Sequence, residues 1–400
     1  MGLNDTASAE RLHIGFFGLR NAGKSSLVNA VTGQQLSVVS EYKGTTTDPV
    51  KKAMELLPLG PVVIIDTPGI DDEGELGVLR VKKAKEALLG VDIAVLVCDA
   101  TVGITDKDAE LIEMFKERKT PYIIAYNKSD LIKNQSTLPE NGIYVSAKNC
   151  KGIQELKEML GKYKGLGNNK HLVSDLLTPG DTVILVIPID ESAPKGRLIL
   201  PQQQTIRDIL EAGCIPICCR DTELKNTLSK LKDKPKLVIT DSQAFGKVSK
   251  LVHDDILLTS FSILFARYKG DLAELVKGAS ALSKLKDGDK VLISEGCTHH
   301  RQCGDIGSVK MPMWIEKFSG AKSQYIFTSG GEFPEDLSDY KVCVHCGGCM
   351  LNEKEMQSRI ERCRNFGLPV VNYGVAIAHM HGILRRSLEV FPEIQKLLSE

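Results

Sequence analysis

The segment Gly18-Leu19-Arg20-Asn21-Ala22-Gly23-Lys24-Ser25 constrains this chain more than any other feature. It fits the pattern GxxxxGK[ST] and stands between an apolar β-rich run at 14–17 and a helical run at 26–31. A strand feeding a glycine-rich turn that opens a helix lets backbone N–H groups curl around phosphate oxygens. The helix start adds the positive end of its dipole. In such a loop Lys24 reaches the β- and γ-phosphates and Ser25 binds Mg²⁺. Gly18, Asn21, Ala22, Gly23 and Ser26 complete the candidate cradle. A glycine-rich turn without a ligand is the competing explanation, and the flanking strand and helix argue against it.

Further segments follow in the order a guanine-nucleotide site needs. Asp66-Thr67-Pro68-Gly69 ends the apolar run 62–65. Asp66 there would hold Mg²⁺ through water, and the Gly69 amide would sense the γ-phosphate. Asn127-Lys128-Ser129-Asp130 ends the run 122–126. A carboxylate at Asp130 can accept both N–H donors on guanine's edge, a pair that adenine does not offer. Ser146-Ala147-Lys148 would back the base through a main-chain amide. DxxG alone is weak, but the combination selects GTP over ATP. Between the phosphate loop and Asp66, one threonine of Gly44-Thr45-Thr46-Thr47-Asp48 should complete the Mg²⁺ shell.

The chain has 400 residues, too many for one ordinary core, so two to four domains are expected. Strand and helix patterns alternate from 12 to 160, which argues for an α/β fold with a mainly parallel sheet covered on both faces. Residues 161–170 (GKYKGLGNNK) read as a linker. Beyond them the rhythm resumes, with strands expected at 182–189, 215–219, 236–240, 290–293, 324–327, 342–344 and 370–373. The apolar run 256–265 suits either a core or an interface. No repeat of fixed period is visible. Lys plus Arg and Asp plus Glu both number 51. That balance lacks the basic excess of a nucleic-acid binder. No stretch approaches the ~20 apolar residues of a membrane span, and residues 1–14 lack the apolar core of a signal peptide. Gly2 and Thr6 fit the bare myristoylation pattern, too short to count. A cytoplasmic protein with no nucleic-acid or membrane partner is expected.

The eleven cysteines are unevenly placed: one lies in the first 149 residues, five between Cys297 and Cys349. In a reducing compartment such clustering points to metal or redox chemistry. Cys297-Thr298-His299 follows the run 290–293, and His345-Cys346-Gly347-Gly348-Cys349 follows 342–344. Both lie past a strand's carboxyl end, where open α/β sheets place ligands. The glycines let the loop turn so that both sulfurs can face one ion. Zinc accepts Cys₃His sites and a [4Fe–4S] cluster takes cysteines; spacing does not decide between them, and a redox-inert turn is the third reading. Cys98, Cys214, Cys218, Cys219 and Cys363 read as small buried apolar residues. Cys303 and Cys343 stand near the cluster motifs. His379 and His381 are two apart on an expected helix and so face different ways.

Residues 12–160 resemble the Era, Der and MnmE group of GTPases. That resemblance singles out Thr46 within the GTT-x-D pattern, so Lys24, Thr46 and Gly69 surround the transferred phosphoryl group. It also gives weight to Ile70, which stands where Ras-like proteins carry a catalytic glutamine, and to Asn21, which accompanies potassium-activated hydrolysis in such proteins. Slow, K⁺-stimulated turnover is expected. The arrangement C-x-H, about 45 residues, then H-C-x-x-C, behind such a GTPase and a middle domain, resembles the HydF family of [FeFe]-hydrogenase maturation GTPases. The resemblance implies a P-loop GTPase domain at 8–166, an α/β dimerisation domain at 178–265 and an α/β cluster domain at 266–400. It implies a homodimer whose Cys297, Cys346 and Cys349 hold a [4Fe–4S] cluster with one exchangeable iron site. His299 and His345 are then candidates for that position or for supporting the cluster by hydrogen bonds. The family carries a diiron precursor from radical-SAM maturases to apo-[FeFe]-hydrogenase. Two other readings compete. One is a ribosome- or RNA-directed Era/Der-like GTPase with a structural zinc, disfavoured by zero net charge and the lack of a KH or OB signature. The other is a redox enzyme with its own iron–sulfur centre, disfavoured by the lack of flavin, nicotinamide or CxxxCxxC motifs.

Overall fold

The structure, a computed structural model, describes residues 10–34, 49–70, 75–134, 136–163, 170–189, 198–296 and 305–398. The chain divides into two compact units, residues 1–169 and 170–400.

In the first unit the elements run β1 (Leu12–Phe17), α1 (Lys24–Thr32), β2 (Val50–Leu56), β3 (Gly60–Asp66), α2 (Glu75–Leu88), β4 (Ile93–Asp99), α3 (Asp106–Glu117), β5 (Tyr122–Asn127), β6 (Gly142–Tyr144) and α4 (Ile153–Lys162). The sheet orders β2-β3-β1-β4-β5-β6, with β2 antiparallel to β3 and the other pairs parallel. The central strands are near-continuous apolar runs because both faces are covered. Ile14, Phe16, Val62 and Val95 face Leu27, Leu156 and Leu160 of α1 and α4. Phe17, Val63, Ile65 and Leu96 face Leu88, Leu111 and Phe115 of α2 and α3. Helix α3 opens on a reciprocal cap, Thr105 with Asp108, worth about 1 kcal/mol. Strand β2 is a finding beyond the sequence reading. Val50 through Ala53 are exposed and only Leu56 of this strand is buried, so this edge strand lacks the continuous apolar run of its neighbours.

In the second unit the order is β7 (Thr182–Val186), α5 (Leu200–Glu211), β8 (Ile215–Cys219), α6 (Leu224–Lys230), β9 (Leu237–Thr240), α7 (Phe245–Val248), β10 (Leu257–Ser260) and α8 (Phe261–Lys269). It continues with α9 (Leu272–Ala279), β11 (Lys290–Glu295), α10 (Met311–Ser319), β12 (Gln324–Ser329), β13 (Tyr340–His345), α11 (Glu353–Asn365), β14 (Val370–Asn372) and α12 (Tyr373–Met380). Its two parallel sheets order β10-β9-β7-β8 and β12-β11-β13-β14. They share one topology: the first strand lies between the second and the third, and the fourth lies outside the third. A continuous core joins them, from Val183 and Leu185 through Ile263 and Leu264 to Val291, Ile293, Val344 and Val375. The apolar run 256–265 is core, and it is two elements. It breaks after Ser260, whose Oγ accepts from Ile263 N at 3.3 Å and caps α8. Among the described residues no helix is long and apolar enough to cross a membrane.

Candidate functional site

The loop 18–23 joins β1 to α1. Gly18 and Gly23 take φ 137° and 86°, and both are hemmed in. A Cβ on Gly18 would lie 2.3 Å from Val97 O, and one on Gly23 2.3 Å from Asn127 Nδ2. Asn21 sits at φ 60°, a left-handed conformation that asparagine tolerates better than most residues. Lys24 is buried beneath the loop, and its Nζ donates to Gly18 O at 3.0 Å and Leu19 O at 2.9 Å. The register Phe16↔Asp66 brings the end of β3 beside this loop. Ser25 Oγ donates to Asp66 Oδ2 at 2.8 Å, while the buried Asp66 Oδ1 has no hydrogen-bond partner. Leaving a buried carboxylate oxygen unpaired is costly. A hydroxyl beside such an oxygen is a donor set that suits Mg²⁺. Gly69 packs on the phosphate loop, where a Cβ would lie 3.0 Å from Arg20 N. Ile70 packs into the apolar layer of Phe17 and Ile65. Thr46 lies outside the described residues.

Asn127 is 2% exposed and acts as a strut. Its Nδ2 donates to Ala22 O at 2.9 Å, and its Oδ1 accepts from Ala147 N at 3.0 Å. It thereby ties the phosphate loop to the 146–148 loop. Lys128 Nζ pairs with Asp99 Oδ2 at 2.6 Å, a partner at the end of β4 that no motif pattern named. Asp130 is exposed, and its Oδ1 accepts from Ser146 Oγ at 2.6 Å. That hydrogen bond holds the Asp130 carboxyl below its usual range, so it stays ionised as an acceptor. Ser146 is fully buried, and its backbone pairs with Lys151 in both directions.

In the second unit β11 and β13 are parallel neighbours, with Ser294 opposite His345. Their outgoing loops therefore start side by side at the point where the strand order reverses, where such sheets bind ligands. Cys346 N donates to Ser294 O at 2.8 Å. Cys346 Sγ accepts from Gly296 N at 3.0 Å and from Gly348 N at 3.4 Å. Gly296 immediately precedes Cys297; Cys297, His299 and Cys303 lie outside the described residues. Cys346 and Cys349 are partly exposed, and Gly348 between them takes φ 64°. Amide hydrogens aimed at sulfur, as here, are among the features that tune iron–sulfur sites, so this donor set fits a cluster.

His345 is 1% exposed and engaged at both nitrogens. Nδ1 donates to Cys346 O at 2.8 Å, and Nε2 accepts from Arg359 Nη1 at 3.1 Å. Burial first, then the Arg359 charge, push its pKa down to about 3, so the ring is neutral. Cys343 and Cys363 are buried. A hydrogen bond to Cys363, together with burial, pushes the Cys343 thiol well up. His379 stacks edge-on to Phe318 and His381 to Trp314, so the two face separate partners.

The phosphate loop on a mostly parallel sheet, with the Asp130 carboxylate tied to the Ser146 loop, defines a P-loop GTPase domain. Residues 13–128 match the family model described as "50S ribosome-binding GTPase". Residues 172–270 match "Hydrogen maturase F dimerization domain", and residues 273–390 match "Hydrogen maturase F tetramerization domain". The chain belongs to the hydrogen maturase F family, HydF. It is also similar to the tRNA modification GTPase MnmE of Clostridioides difficile, 34% identical over 187 residues, covering 43% of this chain and 40% of that protein. GTPase Der of Kosmotoga olearia is 37% identical over 131 residues, covering 32% of this chain and 29% of that protein. The chain thus spans less than half the length of either relative. Among solved structures, Era of Aquifex aeolicus shows 21% identity with a TM-score of 0.36, over 52% of this chain and 94% of that one. A global likeness that low adds nothing to the assignment.

Proposed function

We propose that this chain is a GTP-hydrolysing scaffold that carries the diiron precursor of the hydrogenase H-cluster to apo-[FeFe]-hydrogenase. The observation that carries the reading is the Cys346 sulfur, held by amides from both the 296 and the 348 sides within a HydF segment. Cys297, Cys346 and Cys349 would hold a [4Fe–4S] cluster. When bound, the cluster would supply an iron with one exchangeable position suited to holding the cargo. His345 has both nitrogens occupied, so its part is to hold the loop; His299 remains the histidine for the exchangeable position. Radical-SAM maturases supply the cargo, the apo-hydrogenase receives it, and the exchange takes place in the cytoplasm. The domain limits proposed with it are 8–166, 178–265 and 266–400, with α8 (Phe261–Lys269) running across the last of these boundaries. The test is anaerobic reconstitution with iron and sulfide, followed by mixing with maturases and apo-hydrogenase. About four iron per chain and hydrogen evolution are expected. One zinc per chain with no iron uptake would replace the scaffold by a zinc-bearing GTPase.

In the GTPase domain, Gly18, Asn21, Ala22, Gly23, Lys24, Ser25 and Ser26 cradle the phosphates. Ser25, Thr46 and Asp66 serve Mg²⁺, while Gly69 senses the γ-phosphate. Asp130 reads the base, supported by Asn127, Lys128, Ser146, Ala147 and Lys148. Ile70 orients no water, so turnover is slow, and a K⁺ ion at Asn21 supplies positive charge near the phosphates. Hydrolysis should run about tenfold faster in KCl than in NaCl, a gain of about 1.4 kcal/mol in the barrier. Equal rates in the two salts would remove potassium from the reading.

We propose that self-association runs along the outer edge of β8, the last strand of its sheet among the described residues. Ile215 N donates to Asp181 O and Cys219 O accepts from Ile187 N. Residues 215, 217 and 219 therefore turn their backbone toward β7, leaving Pro216 O and the Cys218 N–H facing outward. Two copies related by a two-fold axis at Ile217 would pair through Cys218 N–H and Pro216 O, without needing the amide hydrogen that proline lacks. Cys218→Pro, or Ile215→Lys at a side chain that is 53% exposed, should shift the protein toward monomer in sedimentation velocity. GTP hydrolysis should persist. An unchanged distribution in both variants would move the interface elsewhere.

A further inference from the structure

We infer that Lys269 is a positioning residue for the Cys346–Cys349 loop, an assignment that rests on the cluster reading above. Lys269 is the last residue of α8, within the segment matched by the dimerisation model. It is 2% exposed, a rare setting for lysine. Its Nζ donates to Gly348 O at 3.4 Å, Cys349 O at 3.3 Å and Leu351 O at 3.1 Å. The same ammonium lies 6.0 Å from the centre of the Phe265 ring. The helix end is itself fixed: Gln357 Nε2 of α11 donates to Lys269 O at 3.3 Å and to Gly270 O at 2.9 Å.

Burying an ammonium is costly unless its donors are matched, and here the cysteine loop matches them with carbonyls. In a planar trans peptide the N–H points opposite to the C=O. Turning the carbonyls of Gly348 and Cys349 onto Lys269 therefore turns the amides of Cys349 and Met350 away from it. Lys269 fixes the polarity of the loop, with carbonyls inward and amides outward, and adds a positive charge behind it. Both effects favour negative charge on the cysteine side, so they favour iron retention and a higher cluster potential. The charge comes from the end of α8, the helix that leads out of the dimerisation segment, which makes the holding of the cysteine loop depend on how that helix is seated.

The experiment compares wild type with Lys269→Met, Lys269→Gln and Lys269→Arg in the full chain. In metal-free protein, amide hydrogen exchange at residues 347–352 should quicken about tenfold in Lys269→Met, as expected when a supporting hydrogen bond of ~1.4 kcal/mol is lost. GTP hydrolysis should be unchanged. After reconstitution, loss of iron to a chelator should quicken about tenfold, and the midpoint potential should move to more negative values. Lys269→Arg should restore both in part. Lys269→Gln keeps a donor without the charge, and should shift the potential even if Lys269→Met folds poorly. Unchanged loop exchange in Lys269→Met, or unchanged iron retention and potential across the neutral variants, overturns the assignment. If the exchange effect appears but wild type itself takes up no iron, the cluster reading fails while the loop-holding role stands.

Discussion

Asp130→Asn lowers affinity for GTP by about a hundredfold and raises affinity for xanthosine triphosphate. Guanine presents two neighbouring N–H donors, and the ionised Asp130 carboxylate can accept both. Hydrogen bonds to charged groups contribute about 1.5–3 kcal/mol each, and about 2.8 kcal/mol is a hundredfold in affinity. Asparagine keeps one carbonyl oxygen, which can still accept from Ser146 Oγ as Asp130 Oδ1 does at 2.6 Å. Its NH₂ group, however, faces the guanine amino group donor to donor. Xanthine carries a carbonyl at that place, so the mismatch becomes a match. Competition of the two nucleotides against a fluorescent GTP analogue reads both halves. Equal loss of both nucleotides would mean that the 127–130 segment acts through the fold rather than through the base.

The parts of the fold legible in the sequence are those whose burial is uniform. β1, β3, β4 and β5 are covered on both faces and stand out as apolar runs. β8 has the expected limits 215–219 because all its residues are apolar, yet it lies at a sheet edge, where Cys218, expected to be buried, is exposed and Cys219 is only partly buried. β2 escapes because Lys51, Lys52 and Glu55 face water on an edge, and only its pairing with β3 makes it a strand. The run 256–265 looks uniform in hydropathy, yet Ser260 ends a strand and caps a helix within it. The shared strand order of the two C-terminal sheets leaves no trace as a sequence period, since it is carried by the backbone alone. The same division holds at the sites. Motif residues announce themselves by local spacing. Lys269 acts on carbonyls 79 to 82 positions away, and Arg359 reaches back to His345 and Ser294. Asn127 is local to its motif, but its job as a strut to Ala22 depends on a contact 105 positions distant. Such roles have no local pattern and become visible only when the register of β11 and β13, or of β1 and β3, is known.

Cys346→Ala should bring iron from about four per chain to below about one after reconstitution. The reduced [4Fe–4S] electron paramagnetic resonance signal should vanish with it. The expectation comes from the sulfur's position rather than from its motif alone. Cys346 Sγ is the point where the backbone leaving β11 and the backbone leaving β13 converge, through Gly296 N and Gly348 N. On the proposed scaffold reading, removing it would delete a ligand and leave two amides aimed at a methyl group. Cys349→Ala should behave alike. Cys363→Ala is the contrast. That thiol is fully buried and beside Cys343, so its loss should cost about 1 kcal/mol of stability, of the size of a small core truncation, and leave the iron content intact. GTP hydrolysis should persist in all three variants, because none of these cysteines belongs to the phosphate loop or the base loop. If Cys346→Ala kept its iron, or if Cys363→Ala lost as much of it, the metal would not sit at the mouth of β11 and β13. The scaffold reading would then lose the observation on which it stands.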